Sequence, residues 1–182
     1  MRSDFERDYH RILSSPSFRR LQDKTQVFPL EKNDFIRTRL THSIEVSSFA
    51  KSLAQSVASE IMHQGLDNEF NYEEANAISD ILASSGLLHD IGKLRIANYL
   101  YGRQNGELKV EEIKYVRMHS VLSYGILKKQ GYEHTILDAV LYHHENYDGS
   151  GYPNNLKGEN IPIGARILRI CDAVSYTHLT LP

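Results

Sequence analysis

The hydropathy pattern of this 182-residue chain predicts an all-α fold. Two observations carry that reading. Apolar residues recur at spacings of three, four and seven along most of the chain, the signature of helices with one buried stripe, and the alternating runs that strands need are nearly absent. Turn residues, in turn, gather in three connections, around 65–71, 102–107 and 148–159, the last being the most glycine-rich. Helices are therefore expected near 8–22, 40–63, 73–89, 110–130, 135–146 and 162–173. The first rests on periodicity alone. In the second, His42 shares a face with Val46, Phe49 and Leu53. The third opens on Asn71-Tyr-Glu-Glu74, which has the form of a capping box, and its face carries Ile78, Leu82, Ser85 and His89. The fourth places His119 after Val116 and stops at Gly131. The fifth places His143 after Ile136 and Val140, and the sixth begins at Pro162, where a first turn tolerates proline, and places Asp172 after Leu168.

Composition narrows the class. A chain of this length can build one domain with its own core, and no stretch approaches the roughly 20 apolar residues of a membrane span. The N-terminal Met-Arg-Ser-Asp-Phe-Glu-Arg has no apolar segment of a signal peptide, and the single Cys171 cannot form an internal disulfide, so a cytoplasmic setting is expected. Formal net charge is −2, but residues 1–40 hold nine Lys/Arg against six Asp/Glu. A basic arm suits a phosphate-bearing ligand, although a solvated surface is the commoner reading of such a stretch. With no Cys pair and no concentrated basic face, a zinc module or a binder of nucleic-acid polymers is not expected.

Four histidines and one aspartate fall on the predicted buried stripes, His42, His89, His119, His143 and Asp172, with Asp90 and His144 directly beside two of them. Burying so many polar side chains is costly unless they find partners, and one shared metal cluster satisfies them together. Separate internal hydrogen bonds for each are the ordinary alternative. Neutral imidazole with carboxylate suits Fe, Mn, Zn and similar ions. The residues thus point to a metal-dependent phosphohydrolase.

Four ordered stretches carry a resemblance: Leu-Leu-His-Asp-Ile-Gly-Lys at 87–93, Met-His-Ser at 118–120, Tyr-His-His-Glu-Asn-Tyr-Asp-Gly-Ser-Gly-Tyr-Pro at 142–153, and Ile-Pro-Ile-Gly-Ala-Arg-Ile-Leu-Arg-Ile-Cys-Asp at 161–172. Together they resemble the HD-GYP branch of the HD superfamily, which implies an HD-type helical bundle and hydrolysis of cyclic di-GMP. Residues 4–58 are similar instead to the opening of deoxyguanosinetriphosphate triphosphohydrolases, through Arg-Asp-Tyr-His-Arg-Ile-Leu-Ser-Ser at 7–15, Phe-Arg-Arg-Leu-Gln-Asp-Lys-Thr-Gln-Val-Phe at 18–28 and Asp-Phe-Ile-Arg-Thr-Arg-Leu-Thr-His-Ser-Ile-Glu-Val at 34–46. The two patterns meet at His89-Asp-Ile-Gly92, which both share. A single domain over 1–173 is expected, with a triphosphohydrolase-like half at 1–88 joined to an HD-GYP-like half at 89–173. Either an assembly junction or a natural hybrid accounts for the join. Residues 174–182, Val-Ser-Tyr-Thr-His-Leu-Thr-Leu-Pro, resemble a translated sequencing adaptor and stand where the family pattern continues in a helix, so the domain is expected to be truncated there and His178 is not counted as a ligand.

The resemblance implies two divalent ions, Fe or Mn first, with Mg, Ni, Co or Zn also compatible. His42, His89, Asp90 and Asp172 would hold one ion, and Asp90, His119, His143 and His144 the other. Such a pair of ions clamps the phosphoryl oxygens of an in-line displacement. Lys93 is expected to neutralise charge on the phosphate, or else to be a solvated surface lysine. Tyr152, between Gly151 and Pro153, offers a ring for stacking on a base. Some family members carry a Glu one turn before the first His; here that position is Thr38, which argues against a third ion. Under the triphosphohydrolase alternative, Arg19, Arg20, Lys24, Gln26, Arg37 and Arg39 are candidate substrate contacts. A nucleotide or cyclic dinucleotide is the expected partner, and a homo-oligomer is compatible. A third reading is an inactive or regulatory fragment that binds metal or nucleotide without turnover.

Overall fold

A computed structural model describes residues 4–23, 38–65, 70–100 and 110–177, and no extended strand occurs among them. The first expected helix is divided. Helix α1 (Asp4–Ser14) stops before Pro16, and α2 (Pro16–Arg19) restarts with Ser15 as its cap, the Ser15 hydroxyl accepting from Phe18 N at 3.2 Å. Proline lacks the N–H a continuing helix would need and sits well at a first turn, so one residue both ends and begins a helix. A single 3₁₀ turn, Arg20–Asp23, follows, and Phe18 and Leu21 are fully buried.

Helix α3 (Arg39–Gln64) is capped by Thr38, whose hydroxyl accepts from Thr41 N, and ends at Gly65 with φ 61°, the left-handed conformation glycine adopts without strain. Helix α4 (Tyr72–Leu88) has the expected box: Asn71 Oδ1 accepts from Glu73 N and Glu74 N, and Glu74 returns an acceptor to Asn71 N at 3.2 Å. These two helices pack through small residues. Ser43, Ser47, Ala50, Ala54 and Ala58 are buried on α3 beside His42 and Val46, and Ala75, Ser79 and Ala83 are buried on α4 beside Leu82 and Leu87. A Cβ on Gly86 would lie 2.7 Å from Ser47 Cα, and Ser47 Oγ donates to Ala83 O at 2.8 Å. Ile78, assigned to the buried stripe from its spacing, is instead 43% exposed.

Helix α5 (Lys93–Leu100) was not expected from the sequence. The fourth expected helix is two, α6 (Val110–Arg117) and α7 (His119–Lys129), divided at Met118, which has no side-chain cap. Gly131, φ 80°, stops α7 as expected. Helix α8 (His134–Tyr142) ends four residues short of the expected 146, and α9 (Ile163–Thr177) runs four beyond 173. The described residues divide into two compact units, one of residues up to Leu87 together with those from Ile170, the other Leu88–Arg169. No described helix is long and apolar enough to cross a membrane.

Candidate metal centre

In the unit from Leu88 to Arg169, α4 gives way to a turn over His89–Gly92, in which Lys93 N donates to Asp90 O and Ile91 N to Leu88 O. Both His89 and Asp90 are 1% exposed. The turn is held by Ser123 on α7: Gly92 N donates to Ser123 Oγ, and Ser123 Oγ donates to His89 O, each at 2.8 Å. Only glycine fits at 92, because a Cβ there would lie 2.7 Å from Ser123 N and against His119 O. His119, at the start of α7, and Ser120, Ser123 and Leu127 form its buried face.

The imidazoles are oriented by main-chain carbonyls. His119 Nδ1 lies 2.8 Å from Val116 O, and His143 Nδ1 lies 2.6 Å from Val140 O. A carbonyl can only accept, so both Nδ1 atoms carry hydrogen and the opposite nitrogens are left to present lone pairs. Those nitrogens face one another: His119 Nε2 is 3.3 Å from His143 Nε2 and 3.1 Å from His144 Nε2. Asp90 completes the group, with Oδ1 3.4 Å from His119 Nε2 and Oδ2 3.4 Å from His89 Nε2. Two lone pairs set 3.3 Å apart repel unless a cation lies between them.

The charge states agree. Burial, first among the causes, pushes the His119 pKa down to about 4, with Asp90 opposing; burial and the neighbouring His143 and His119 push His144 down further still. Both are neutral near pH 7, as ligation requires. Burial alone would raise Asp90, but Lys93, His89 and His119 together hold its carboxyl well below the usual range, so it stays ionised. Two groups of donor atoms, His119–His143–His144 and His89–Asp90–His143, each lie within 4.8 Å of one another. Imidazole nitrogen plus an ionised carboxylate is a donor set that fits a first-row divalent ion.

The other expected residues fall as follows. In the unit that contains α3, His42 and Asp172 are 1% and 3% exposed, and His42 Nε2 lies 3.1 Å from Asp172 Oδ1. Lys93 is no solvated surface lysine: its ammonium sits 2.6 Å from Asp90 Oδ2. The Tyr152 ring is already stacked on His144, centroids 4.8 Å apart, with the Arg117 guanidinium 5.3 Å from its centre. One face of the ring is therefore taken by His144. Gly151 is buried where a Cβ would strike the main chain of His144, Glu145 and Asn146, and Tyr152–Pro153 is a cis peptide. Arg19 and Arg20 are exposed on the first helices, and Arg39 is half-buried in the first turn of α3. Lys24, Gln26 and Arg37 lie outside the described residues.

Sequence reasoning missed three residues that shape the site and a fourth, Ser175, that contacts His42 in the other unit. Ser123 lies one turn from His119 on the same face, a spacing that could have disclosed it. Arg117 could not be placed against Tyr152 without the loop. Glu145 is 2% exposed, and its carboxylate accepts from Asn154 N at 2.7 Å and Leu156 N at 3.0 Å, tying down the loop that brings Tyr152 to His144. A carboxylate directly after a pair of histidines was the available signal. Ser175, set apart with the adaptor-like 174–182, lies inside α9, fully buried beside His42.

Comparison with known proteins locates this geometry in a family. A model described as an HD domain matches residues 69–180. Deoxyguanosinetriphosphate triphosphohydrolase-like proteins of Listeria monocytogenes and Listeria innocua are each 60% identical over 92 residues, 50% of this chain and 20% of theirs. A deoxyguanosinetriphosphate triphosphohydrolase of Cronobacter sakazakii is 48% identical over 89 residues, 48% of this chain and 18% of its own. The chain thus spans about a fifth of the length of these curated relatives. Among solved structures, a cyclic GMP-AMP specific phosphodiesterase of V. cholerae aligns over 91% of this chain and 40% of its own, with a TM-score of 0.52 and 16% identity, a likeness of fold.

Proposed function

The chain belongs to the HD domain family, and from that membership we propose that it is a metal-dependent phosphohydrolase acting on a nucleotide phosphodiester, with cyclic di-GMP as the first substrate. The observation that carries this reading is the pair of Nε2 lone pairs of His119 and His143 held 3.3 Å apart beside the Asp90 carboxylate. His89, Asp90, His119, His143 and His144 would hold metal within their own unit. His42 and Asp172 enter the ligand set through the sequence resemblance, which puts them with His89 and Asp90 on the first of two ions. When bound, such ions polarise phosphoryl oxygens and lower the pKa of water towards neutrality.

The chain's own residues do the rest. Lys93 keeps Asp90 ionised in a buried setting, where a neutral carboxyl would be a poor ligand. Carbonyls of Val116 and Val140 hold two imidazoles with Nε2 inward. Tyr152, fixed against His144 by the loop 145–156, limits the approach of water from that side and shapes the rim on which a guanine base would rest. Gly151 and Pro153 act through that loop.

A second reading, hydrolysis of a deoxynucleoside triphosphate to nucleoside and triphosphate, is favoured by the identity shared with the Listeria proteins. Arg19, Arg20, Lys24, Gln26, Arg37 and Arg39 would then contact substrate. Incubation of the Mn(II)-loaded chain with cyclic di-GMP and, separately, with dGTP decides between them. Linear dinucleotide or GMP should form, and His119→Ala and His143→Ala should reduce it to background. Triphosphate release that survives both substitutions would favour the second reading; neither product from a folded, metal-loaded chain would leave the non-catalytic fragment.

A further inference from the structure

His42 is held on the side opposite Asp172 by two residues with no assigned role. Its Nδ1 lies 3.0 Å from Ser175 Oγ, and Ser175 Oγ donates to Glu45 Oε2 at 3.2 Å. Each pair is one helical turn apart, His42 and Glu45 on α3, Asp172 and Ser175 on α9, so two helices present matching partners to one another within a single unit. Ser175 is fully buried, and His42 nearly so.

For a neutral His42, the direction of the serine hydroxyl decides which ring nitrogen carries the hydrogen. A serine hydroxyl carries one hydrogen. If it pointed to His42 Nδ1, the imidazole hydrogen would sit on Nε2 and be donated to Asp172, giving a purely structural histidine–aspartate hydrogen bond. A carboxylate can only accept, and Glu45 takes the serine hydrogen. The oxygen of Ser175 then accepts from His42 Nδ1–H, and Nε2, beside Asp172, is the ligating atom. We propose that Ser175 and Glu45 are positioning residues for His42, a carboxylate–serine–histidine row that selects Nε2 as the atom offered to a divalent cation. The inference rests on the metal reading of the site for its purpose, and on geometry alone for the position of the hydrogen.

Two measurements on the whole chain test it separately. Mn(II) affinity, read by competition with a fluorescent chelator, should fall about 10- to 100-fold in Ser175→Ala, the usual effect of removing a partner that orients a ligating histidine. Glu45→Ala should weaken binding in the same direction, and Glu45→Gln, whose amide oxygen still accepts, should restore most of it. Glu45 is only half-buried, so these variants keep the test open if Ser175→Ala fails to fold. Unchanged affinity in Ser175→Ala and Glu45→Ala overturns the proposal. In the metal-free chain with ¹⁵N-labelled histidine, a slowly exchanging hydrogen should be found on His42 Nδ1, assigned by its loss in His42→Gln. Its exchange should accelerate at least tenfold in Ser175→Ala. A hydrogen found on Nε2 alone would overturn the row even if metal binds, whereas a chain that binds no Mn(II) yet shows the protected Nδ1 hydrogen would sink the metal reading and leave the row standing.

Discussion

Replacing Glu145 with alanine is expected to loosen the loop that brings Tyr152 to His144, with a cost set by two hydrogen bonds. The carboxylate accepts from Asn154 N at 2.7 Å and from Leu156 N at 3.0 Å, and the side chain is buried. Hydrogen bonds to a charged group contribute about 1.5–3 kcal/mol each. Asn154 is exposed and Leu156 half-buried, so water can recover part of what their N–H groups lose, and the lower end applies. A loss of about 3 kcal/mol is the result. For a chain of this size each kcal/mol lowers Tm by roughly 2–4 °C, so Tm should fall by about 6–12 °C. Glu145→Gln keeps the shape and one acceptor but turns an NH₂ towards an N–H, and should lose about half as much. Urea unfolding of parent and both variants, with the slope unchanged, gives the numbers. A loss below about 0.5 kcal/mol in Glu145→Ala, the range of an ordinary surface change, would show that the loop is held by something else.

Gly92→Ala should destabilise the metal-free chain by about 1–3 kcal/mol in a thermal melt, because the added methyl meets main chain at Ser123 and His119 that cannot move aside cheaply. The metal-free chain should also lose stability as pH falls from about 6.5 to about 4. His119 takes up its proton near 6.5 when unfolded but near 4 when folded, so the unfolded state binds more protons across that window and stability rises with pH. Denaturant midpoints measured in chelator at pH 7, 5.5 and 4.5 should fall in that order, and a flat series would contradict the neutral imidazole. Cys171, 3% exposed and with its thiol pushed up to about 11 by burial and then by Asp172, should react with a disulfide reagent at pH 8 only after denaturation. Prompt reaction of the native chain would place Cys171 at the surface.

What the sequence made legible follows from which signals are local. The Asn71–Glu74 box needs four consecutive residues, and the stop at Gly131 needs one, so both were readable. Six of the seven candidate ligands are at most 3% exposed, with His144 half-buried, but His89, Asp90, His143 and His144 lie in turns and not on helix faces. The failures have a common cause. Ile78 was placed inside because the face was sought among large apolar residues, yet α3 and α4 approach through Ser47, Ala83 and Gly86, and small residues carry almost no hydropathy signal. The break at Met118 has no glycine or proline to announce it, and α5 is too short for periodicity to rise above its surroundings.

Those same misplaced boundaries put the candidate ligands where they are. A helix running unbroken through 110–130 would bond His119 into its interior, with Val116 O committed to the N–H four residues on. Because α6 ends at Arg117 and α7 begins at His119, the Val116 carbonyl is freed in the last turn and accepts from the His119 ring. Helix α8 repeats the device. It ends at Tyr142, and the Val140 carbonyl, left over in its last turn, accepts from the ring of His143. Each histidine is oriented by a carbonyl that only a helix end leaves over. Periodicity predicts continuous helices, so it cannot foresee this use of their interruptions. The candidate metal centre is built at the places where the regular pattern stops.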